Sequence, residues 1–345
     1  MVVSIFHLLP ADRIGGVEIA ASTTLNINND FYKFRVLYLF KKRNNSFSIM
    51  AKFKYFINTV SFLFNEKSYI LITSLWKSNV IAILLTILKK DVKLIVFLHS
   101  PINAHFFDRV ATHLSIFFAK EIWVDSQATL KGRLNRPLLE FKNKKIRIIS
   151  FMSKRLKPFA NSKRSPNFIF WGRLDNIKRI DKAINFFYQI SLFKKGAKFI
   201  IIGPDCGGLG KITKIISNLN LQDKVLIKNP MHLNEIRQLA AKATFFIQLS
   251  RFEGMGMSVI EAMQIGLIPI VTPVGEIGSY CKDGFNSIIF DIDNNKLNLK
   301  KVIDILNNSK KYEKIRFNSL KTWENMNTYK EDIRNSCMEL SLGNN

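Results

Sequence analysis

The stretch S-R-F-E-G-M-G-M-S-V-I-E, residues 250–261, contains two glutamates, Glu253 and Glu261, with seven residues between them. The apolar run at 244–249 that precedes it is typical of a buried strand. Residues 257–263 have helical composition, and Gly266, with Pro269 beyond it, marks the end of that helix. The segment therefore predicts a strand, a glycine-containing loop and a helix. Loop glycines and the free N–H groups of a helix start favour a bound ligand such as a phosphate.

This pattern resembles a motif of the retaining glycosyltransferases with the GT-B fold, most closely glycosyltransferase family 4. That family carries E-x7-E followed by A-M-x-x-G-x-P, and residues 262–271 here read A-M-Q-I-G-L-I-P-I-V. Ile268 stands at the family's proline position, which affects the predicted start of the next strand but not the glutamates. The resemblance implies that Glu253 is catalytic and contacts the donor hexose, while Glu261 binds the nucleotide ribose. It assigns these loop residues to donor binding: Gly254, Met255, Gly256, Met257 and Ser258.

A second motif, G-R-L-D-N-I-K at residues 172–178, follows a predicted strand at 167–171. It resembles the family's G-R-x-x-x-x-K, which implies that Arg173 and Lys178 bind the donor diphosphate. Fixed cations stabilise the charge that develops on such a leaving group, and they replace or supplement a metal ion. The alternative is a solvated loop arginine and a lysine at a helix start. A cation is unfavourable at a helix N-terminus unless an anion binds there, which favours the functional interpretation.

Two features of the first half also match the family. Gly15 and Gly16 follow the first predicted strand, and the family's G-G-x-E loop implies that Gly16, and less strongly Gly15, contacts the donor. His99 ends the predicted strand at 93–98, where the family places a catalytic histidine that orients the donor or stabilises the transition state. A histidine there can also be an ordinary core residue. His7 and His105 are alternatives, His7 because it too lies near a predicted strand end.

Two further observations concern acidic residues that could contact the donor or bind a metal ion. Glu276 follows the predicted strand at 268–272, where family members hold an acidic residue near the donor, and it is a candidate of lower rank. The sequence Asp291-Ile292-Asp293 follows the last predicted strand and not a nucleotide-binding loop, so it does not fit a D-x-D metal motif. We therefore expect no metal site and no cofactor, with the nucleotide sugar acting as substrate.

The 345 residues suit two domains, each with its own core. Strand-like and helix-like runs alternate in both halves, as in doubly wound parallel sheets. Residues 152–166 have little periodicity and predict a linker. We expect an α/β protein of the GT-B type, with two Rossmann-like domains facing a central cleft. The predicted divisions are an acceptor-binding domain at 1–158, a nucleotide-sugar-binding domain at 159–322, and a C-terminal helix at 323–345 that crosses back to the first domain.

Composition is unusual in its charge. The chain has a formal net charge of +26, and residues 1–158 carry 25 Lys and Arg against 9 Asp and Glu, hence +16. Such an excess favours nucleic acid, or anionic lipid headgroups and a diphosphate-bearing substrate, as the partner. An AT-rich genome would also enrich lysine. The three cysteines are scattered without a spacing that suggests pairing, which indicates a reducing compartment. We expect neither a signal peptide nor a transmembrane span.

Together these patterns predict a retaining hexosyltransferase that uses a UDP- or GDP-sugar and a glycan or polyprenyl-diphosphate-linked acceptor. The resemblance implies bacterial cell-surface polysaccharide assembly, such as O-antigen, lipopolysaccharide or capsule. We expect a cytoplasmic enzyme, peripheral at the inner face of the plasma membrane. Alternatives are another GT-B enzyme, such as a nucleotide-sugar epimerase or a phosphorylase, and a basic nucleic-acid-binding protein. The last of these gives no reason for the motifs to occupy strand-end loops, so we expect no nucleic-acid partner.

Overall fold

The computed structural model describes residues 2–12, 15–40, 49–134, 144–159 and 164–343. The chain divides into two compact units. The first unit contains Met1–Lys154 and Asn327–Asn345, and the second contains Arg155–Met326. The divisions at 154/155 and 326/327 lie close to the positions 158/159 and 322/323 expected from sequence. Both units alternate strands and helices, and each builds its core around one parallel sheet.

In the first unit, six parallel strands form a sheet in the order β2-β1-β3-β4-β5-β6. Its inner strands are runs of Val, Ile, Leu and Phe because both faces are covered by helices. The strands are β1 (Val3–Ala11), β2 (Tyr32–Phe40), β3 (Tyr69–Ser74), β4 (Val92–Leu98), β5 (Glu121–Val124) and β6 (Lys145–Ile148). The helices that join them are α1 (Gly16–Ser22), α2 (Ile49–Asn65), α3 (Trp76–Leu88), α4 (Phe106–Phe118) and α5 (Gln127–Leu134).

Helices cover the two faces of this sheet. Leu63 of α2, Leu85 of α3 and Ile116 of α4 pack into one core cluster with side chains of β1, β3, β4 and β5, so these helices share a face. The last helix, α13 (Tyr329–Leu342), packs against α1 and β2. Its Tyr329 is fully buried, and the backbone N–H of Tyr329 donates to the carbonyl of Met152 at 2.8 Å. The prediction that the C-terminal helix returns to the first domain is confirmed.

The second unit is also a parallel six-stranded sheet, in the order β12-β11-β10-β7-β8-β9. The order reverses between β7 and β10, as in dinucleotide-binding folds, and ligands of such sheets bind outside the carboxyl ends of the strands at this point. The strands are β7 (Phe168–Trp171), β8 (Phe199–Ile202), β9 (Val225–Lys228), β10 (Phe245–Gln248), β11 (Ile268–Val271) and β12 (Ile288–Ile289). The helices are α6 (Ile180–Phe193), α7 (Leu209–Asn218), α8 (Leu233–Ala240), α9 (Met257–Gln264), α10 (Ile277–Tyr280), α11 (Asn295–Asn307) and α12 (Ser309–Glu324).

Two sequence expectations need correction. The first strand continues to Ala11, so His7 lies in the strand interior and not near its end. The C-terminal helix expected from residue 323 starts instead at Tyr329, because the chain leaves the helical conformation at 325–328. Thr328 then caps α13, with its side chain accepting from the N–H of Glu331 and the Glu331 carboxylate accepting from the N–H of Thr328. That reciprocal capping starts a new helix.

Candidate active site

Glu253 lies in the loop between β10 and α9, beside the point where the strand order of the second sheet reverses. Its side chain is 11 % exposed, and one carboxylate oxygen, Oε1, accepts three hydrogen bonds. The donors are Lys178 Nζ at 2.6 Å, Gln248 Nε2 at 3.0 Å and Ser250 Oγ at 2.6 Å. In the part of the chain that the structure describes, no donor reaches Oε2. The carboxylate is therefore anchored through one oxygen, and its second oxygen is left for a ligand.

The supporting donors are themselves fixed. Gln248 is the last residue of β10 and is 1 % exposed, and its amide oxygen accepts from Ser258 Oγ at 3.1 Å. Ser250 is fully buried, and its carbonyl accepts from Thr272 Oγ1 at 2.6 Å. Hydrogen-bonded buried side chains of this kind have little rotamer freedom. Gln248, Ser250 and Ser258 therefore hold the Glu253 oxygen in one place.

The loop from Glu253 to Gly256 is packed tightly against the next loop of the sheet. Gly256 is the N-cap of α9 with φ +70°, a left-handed conformation that favours glycine. A β-carbon at Gly275 would lie 2.0 Å from the carbonyl oxygen of Glu253, and the N–H of Glu276 donates to the carbonyl of Gly254 at 2.9 Å. These close approaches fix the direction in which α9 starts, and with it the direction of its free N–H groups.

Glu261 lies about one turn along α9 and accepts a hydrogen bond from β7. The indole Nε1–H of Trp171 donates to Glu261 Oε2 at 2.8 Å. Trp171 is 5 % exposed and its ring packs edge-on against Phe246, with 4.5 Å between ring centroids. A buried indole needs a hydrogen-bond partner, and here that partner is the carboxylate. Trp171 therefore orients Glu261.

The structure separates the two cations that sequence reasoning grouped. Lys178 is buried against Glu253 and lies before the left-handed residue Arg179, which caps α6 at φ +49°. Arg173 extends from the end of β7, is 61 % exposed, and lies 3.4 Å from the Asp175 carboxylate. Lys178 is thus paired with Glu253, whereas Arg173 has a solvent-accessible side chain paired with Asp175.

Glu276 and Tyr280 border the same loop from its other side. Glu276 is 9 % exposed, caps α10, and its carboxylate accepts a hydrogen bond from the Ser279 hydroxyl. The Tyr280 hydroxyl donates to the carbonyl of Met255 at 2.8 Å. Burial, with smaller contributions from Cys281 and Glu253, raises the pKa of the Tyr280 phenol well above its ordinary value. Tyr280 is therefore a neutral hydrogen-bond donor that braces the loop from Glu253 to Gly256.

In the first unit, His99 follows β4 and its Nε2 lies 2.7 Å from Ser74 Oγ. His7 lies inside β1 with its Nε2 2.8 Å from the same oxygen. Burial lowers the pKa of His7 to about 3, and burial together with the nearby His7 and Arg133 lowers the pKa of His99 well below its ordinary value. His105 instead caps α4, where its Nδ1 accepts from the N–H of Asp108 at 3.2 Å.

Gly15 and Gly16 lie at the start of α1, with Gly15 as the N-cap and Gly16 as the first helical residue. A β-carbon at Gly15 would lie 2.4 Å from Glu18 Oε2, so the glycine leaves space for that carboxylate. Gly16 is exposed. The pair presents backbone at the carboxyl end of β1, as the motif predicts.

Sequence reasoning missed Trp171, Gln248, Ser250 and Ser74. Each lies at or just beyond the carboxyl end of a strand, and Gln248 and Ser74 are polar residues that close apolar runs. That polar ending was the signal available in the sequence.

Among the described residues, no group of three or more His, Cys, Asp and Glu side chains is arranged as metal ligands would be. In the described part of the chain, every helix is too short or too polar to span a membrane.

Comparison with known proteins identifies the second unit. Residues 153–322 match the protein family described as "Glycosyl transferases group 1". A GDP-mannose:cellobiosyl-diphosphopolyprenol alpha-mannosyltransferase of Xanthomonas oryzae pv. oryzae is 34 % identical over 82 residues, which are 24 % of this chain and 22 % of that protein. The protein of the same name from Komagataeibacter xylinus is 25 % identical over 134 residues, 38 % of this chain and 34 % of that protein. The matched segments thus span 22 % and 34 % of these relatives.

Solved structures extend the likeness to the whole fold. HepE from Anabaena, in complex with UDP-glucose, superimposes with a TM-score of 0.78 at 16 % identity and covers 97 % of this chain and 99 % of its own. A sucrose-phosphate synthase from Thermosynechococcus elongatus gives a TM-score of 0.77 at 14 % identity, with 98 % of both chains covered. The chain has the GT-B fold, and the family match covers most of its second unit.

Proposed function

We propose that this protein is a retaining hexosyltransferase that takes a hexose from a UDP- or GDP-sugar. The observation that carries the proposal is the anchored Glu253 carboxylate at the switch point of the second sheet. Its Oε1 is held by Lys178, Gln248 and Ser250, and Oε2 is available to accept hydrogen bonds from the hydroxyls of a bound hexose. Preorganised groups of this kind favour the transition state because they need no rearrangement during the reaction.

Lys178 and Arg173 would stabilise the negative charge that develops on the leaving diphosphate. Lys178 uses one of its three donors on Glu253, so two remain for a phosphate oxygen. Arg173 has an exposed side chain, free to move onto a diphosphate and bind it through two parallel hydrogen bonds. Glu261, oriented by Trp171, would accept hydrogen bonds from the ribose hydroxyls. We propose that these residues act without a metal ion.

We further propose that the acceptor is a glycan or a polyprenyl-diphosphate-linked oligosaccharide in cell-surface polysaccharide synthesis. The mannosyltransferases that match this chain are named for a cellobiosyl-diphosphopolyprenol acceptor. Such an acceptor is anchored in a membrane, so the enzyme must approach a lipid surface. A charge of +26 favours attraction to anionic headgroups.

A surface suited to that approach lies on α4 of the first unit. Phe106, Phe107 and Phe117 are 71 %, 69 % and 72 % exposed, and Val110 and Leu114 continue the same stripe. The neighbouring helices α2 and α3, on the same face of the sheet, expose further apolar side chains together with Lys54 and Lys77. Aromatic side chains beside lysines are typical of helices that lie in a membrane interface.

Co-sedimentation with vesicles tests the membrane proposal. We expect the protein to bind vesicles containing anionic lipid at 0.1 M salt and to release them at high salt, because the Debye length shortens from about 10 Å to about 3 Å at 1 M. The double substitution Phe106→Ser and Phe117→Ser should weaken binding. Phe193→Ser with Phe317→Ser, two exposed phenylalanines of the second unit, is the matched control. Equal binding by both double variants would remove the α4 surface from the proposal.

Product analysis tests the enzyme proposal. A panel of UDP- and GDP-sugars is screened for hydrolysis or transfer, and the anomeric configuration of the product is read by NMR. Glu253→Gln and Arg173→Ala should each lower turnover by ~10²–10³ while the fold is kept. Glu313→Gln and Lys195→Ala, on exposed side chains away from the site, should leave turnover unchanged. Inversion of configuration, or full activity in Glu253→Gln, would contradict the proposed mechanism.

A further inference from the structure

Ser74 connects a buried histidine, His7, and a half-buried histidine, His99, of the first unit through a single hydroxyl group. Its Oγ lies 2.8 Å from His7 Nε2 and 2.7 Å from His99 Nε2. Ser74 ends β3, His7 lies in the neighbouring β1, and His99 follows β4 on the other side. The three residues therefore form one hydrogen-bonded chain that runs from the interior of β1 to the carboxyl ends of β3 and β4, beside the point where the order of the first sheet reverses.

Neither ring carries a charge at neutral pH, because burial disfavours the imidazolium form and lowers the pKa of both histidines. A neutral imidazole has one N–H donor and one bare nitrogen acceptor. The remaining ring nitrogens, His7 Nδ1 and His99 Nδ1, are buried and have no hydrogen-bond partner among the described residues. The two rings together carry two N–H donors and two bare nitrogen acceptors, and the group that they share is the single Ser74 hydroxyl.

Counting protons gives two arrangements that satisfy both measured distances. In the first, the Ser74 hydroxyl donates to one Nε2 and accepts from the protonated Nε2 of the other ring, which leaves one Nδ1–H and one bare Nδ1 unpaired. In the second, both rings donate to Ser74, which leaves its hydroxyl proton and two bare Nδ1 atoms unpaired. The second arrangement has one more unsatisfied buried group, and each such group costs about 1–3 kcal/mol. The first arrangement is therefore favoured.

We propose that Ser74 holds His7 and His99 in opposite neutral tautomers and thereby decides whether Nδ1 of His99 donates or accepts a hydrogen bond. Ser74 has only one hydroxyl proton, so a change of tautomer at His99 requires the reverse change at His7. Ser74 and His7 are thus positioning residues for His99. This inference rests on the proposed function only for its kinetic consequence, because His99 affects transfer only if it is a catalytic residue, as the resemblance implies.

Aromatic side chains pack against both imidazole rings and restrict their rotation. The His99 ring packs against Phe97 and Phe151, with 4.1 Å and 5.2 Å between centroids, and Phe97 also stacks on His7 at 6.3 Å. Tyr329 of the last helix closes the group by packing on Phe97 and Phe151. Ring rotation that would exchange Nδ1 for Nε2 therefore requires displacement of several buried aromatic side chains.

Long-range ¹H–¹⁵N correlation spectra of the full-length protein, labelled on histidine nitrogens, test the pairing directly. At pH 7.5 we expect two neutral rings in opposite tautomers, assigned by His7→Asn and His99→Asn. The same tautomer in both rings, or an imidazolium signal from either, would overturn the proposal. Ser74→Ala should abolish the pairing of tautomers, whereas Thr73→Val, which removes the neighbouring unpaired buried hydroxyl, should leave it intact. Opposite tautomers that persist in folded Ser74→Ala would also overturn it.

Kinetics separate this inference from the proposed function. Ser74→Ala should lower kcat about tenfold, the kinetic equivalent of one neutral hydrogen bond, with little change in donor KM, and Ser74→Thr should recover most of that loss. A wild-type protein with opposite tautomers but no transferase activity would leave the pairing intact and refute the proposed function. Full turnover in Ser74→Ala, with the pairing lost, would refute the positioning role.

Discussion

The ion pair between Lys178 and Glu253 provides the most demanding energetic prediction. The two side chains are 12 % and 11 % exposed, and Nζ lies 2.6 Å from Oε1. Removing one partner of a buried pair typically costs about 3–5 kcal/mol because the other charge is left uncompensated. Gln248 and Ser250 still donate to Glu253 when Lys178 is absent, so Lys178→Met should fall at the lower end, about 3 kcal/mol. Glu253→Gln leaves the lysine with no carboxylate and should cost at least as much.

A double-mutant cycle isolates the pair. If the single substitutions act mainly by exposing the partner's charge, the double variant Lys178→Met/Glu253→Gln should be no less stable than either single variant, which corresponds to a coupling of about 3 kcal/mol or more. The assay is urea unfolding of nucleotide-free protein, followed by calorimetry to assign the transition to the second unit. Coupling below about 0.5 kcal/mol would refute the claim that Lys178 anchors Glu253, because exposed pairs typically reach only that value.

Three further outcomes follow from the same contacts. Burial lowers the pKa of His7 from 6.5 to about 3, so the contribution of the neutral ring to the free energy of unfolding is complete above pH 6.5 and is lost as the pH falls, by about 2 kcal/mol at pH 5. Thermal unfolding of His7→Asn should therefore depend less on acid than that of wild type, and an equal dependence would contradict the assignment. Trp171→Phe removes the donor to Glu261 and should raise the Kd for nucleotide about five- to tenfold with little effect on kcat, whereas an unchanged Kd would show that the indole does not orient the carboxylate. Transfer should persist in EDTA, and complete loss restored by Mn²⁺ would show that the cations do not replace a metal.

Much of the fold could be predicted because its strands are short apolar runs separated by turns and helices. The E-x7-E segment folds as expected, with Glu253 in the loop after β10 and Glu261 on α9, and β11 starts at Ile268 although proline follows one residue later. The interior position of His7 was not predicted because strand extension depends on pairing with β2, which continues to Phe40. Hydrophobic periodicity does not report such long-range pairing.

The supporting contacts of the site were less accessible to sequence reasoning. Gln248 and Ser74 could be noticed in the sequence only as polar residues at the ends of apolar strands. Their hydrogen-bond partners depend on the spatial order of the strands. Trp171 and Glu261 are 90 positions apart, and they meet because β7 and β10 are neighbours at the reversal of the sheet. Motifs identify the residues that contact ligand, whereas the groups that hold those residues follow from tertiary packing.

Calorimetric titration of the intact protein with UDP and with GDP tests whether the second unit binds a nucleoside diphosphate through Glu261. We predict saturable binding of one of the two nucleotides at a single site. Glu261→Ala should weaken that binding tenfold or more, because a charge-assisted hydrogen bond contributes about 1.5–3 kcal/mol, while Glu313→Ala should match wild type. Absence of binding for both nucleotides, or wild-type affinity in Glu261→Ala, would contradict the account.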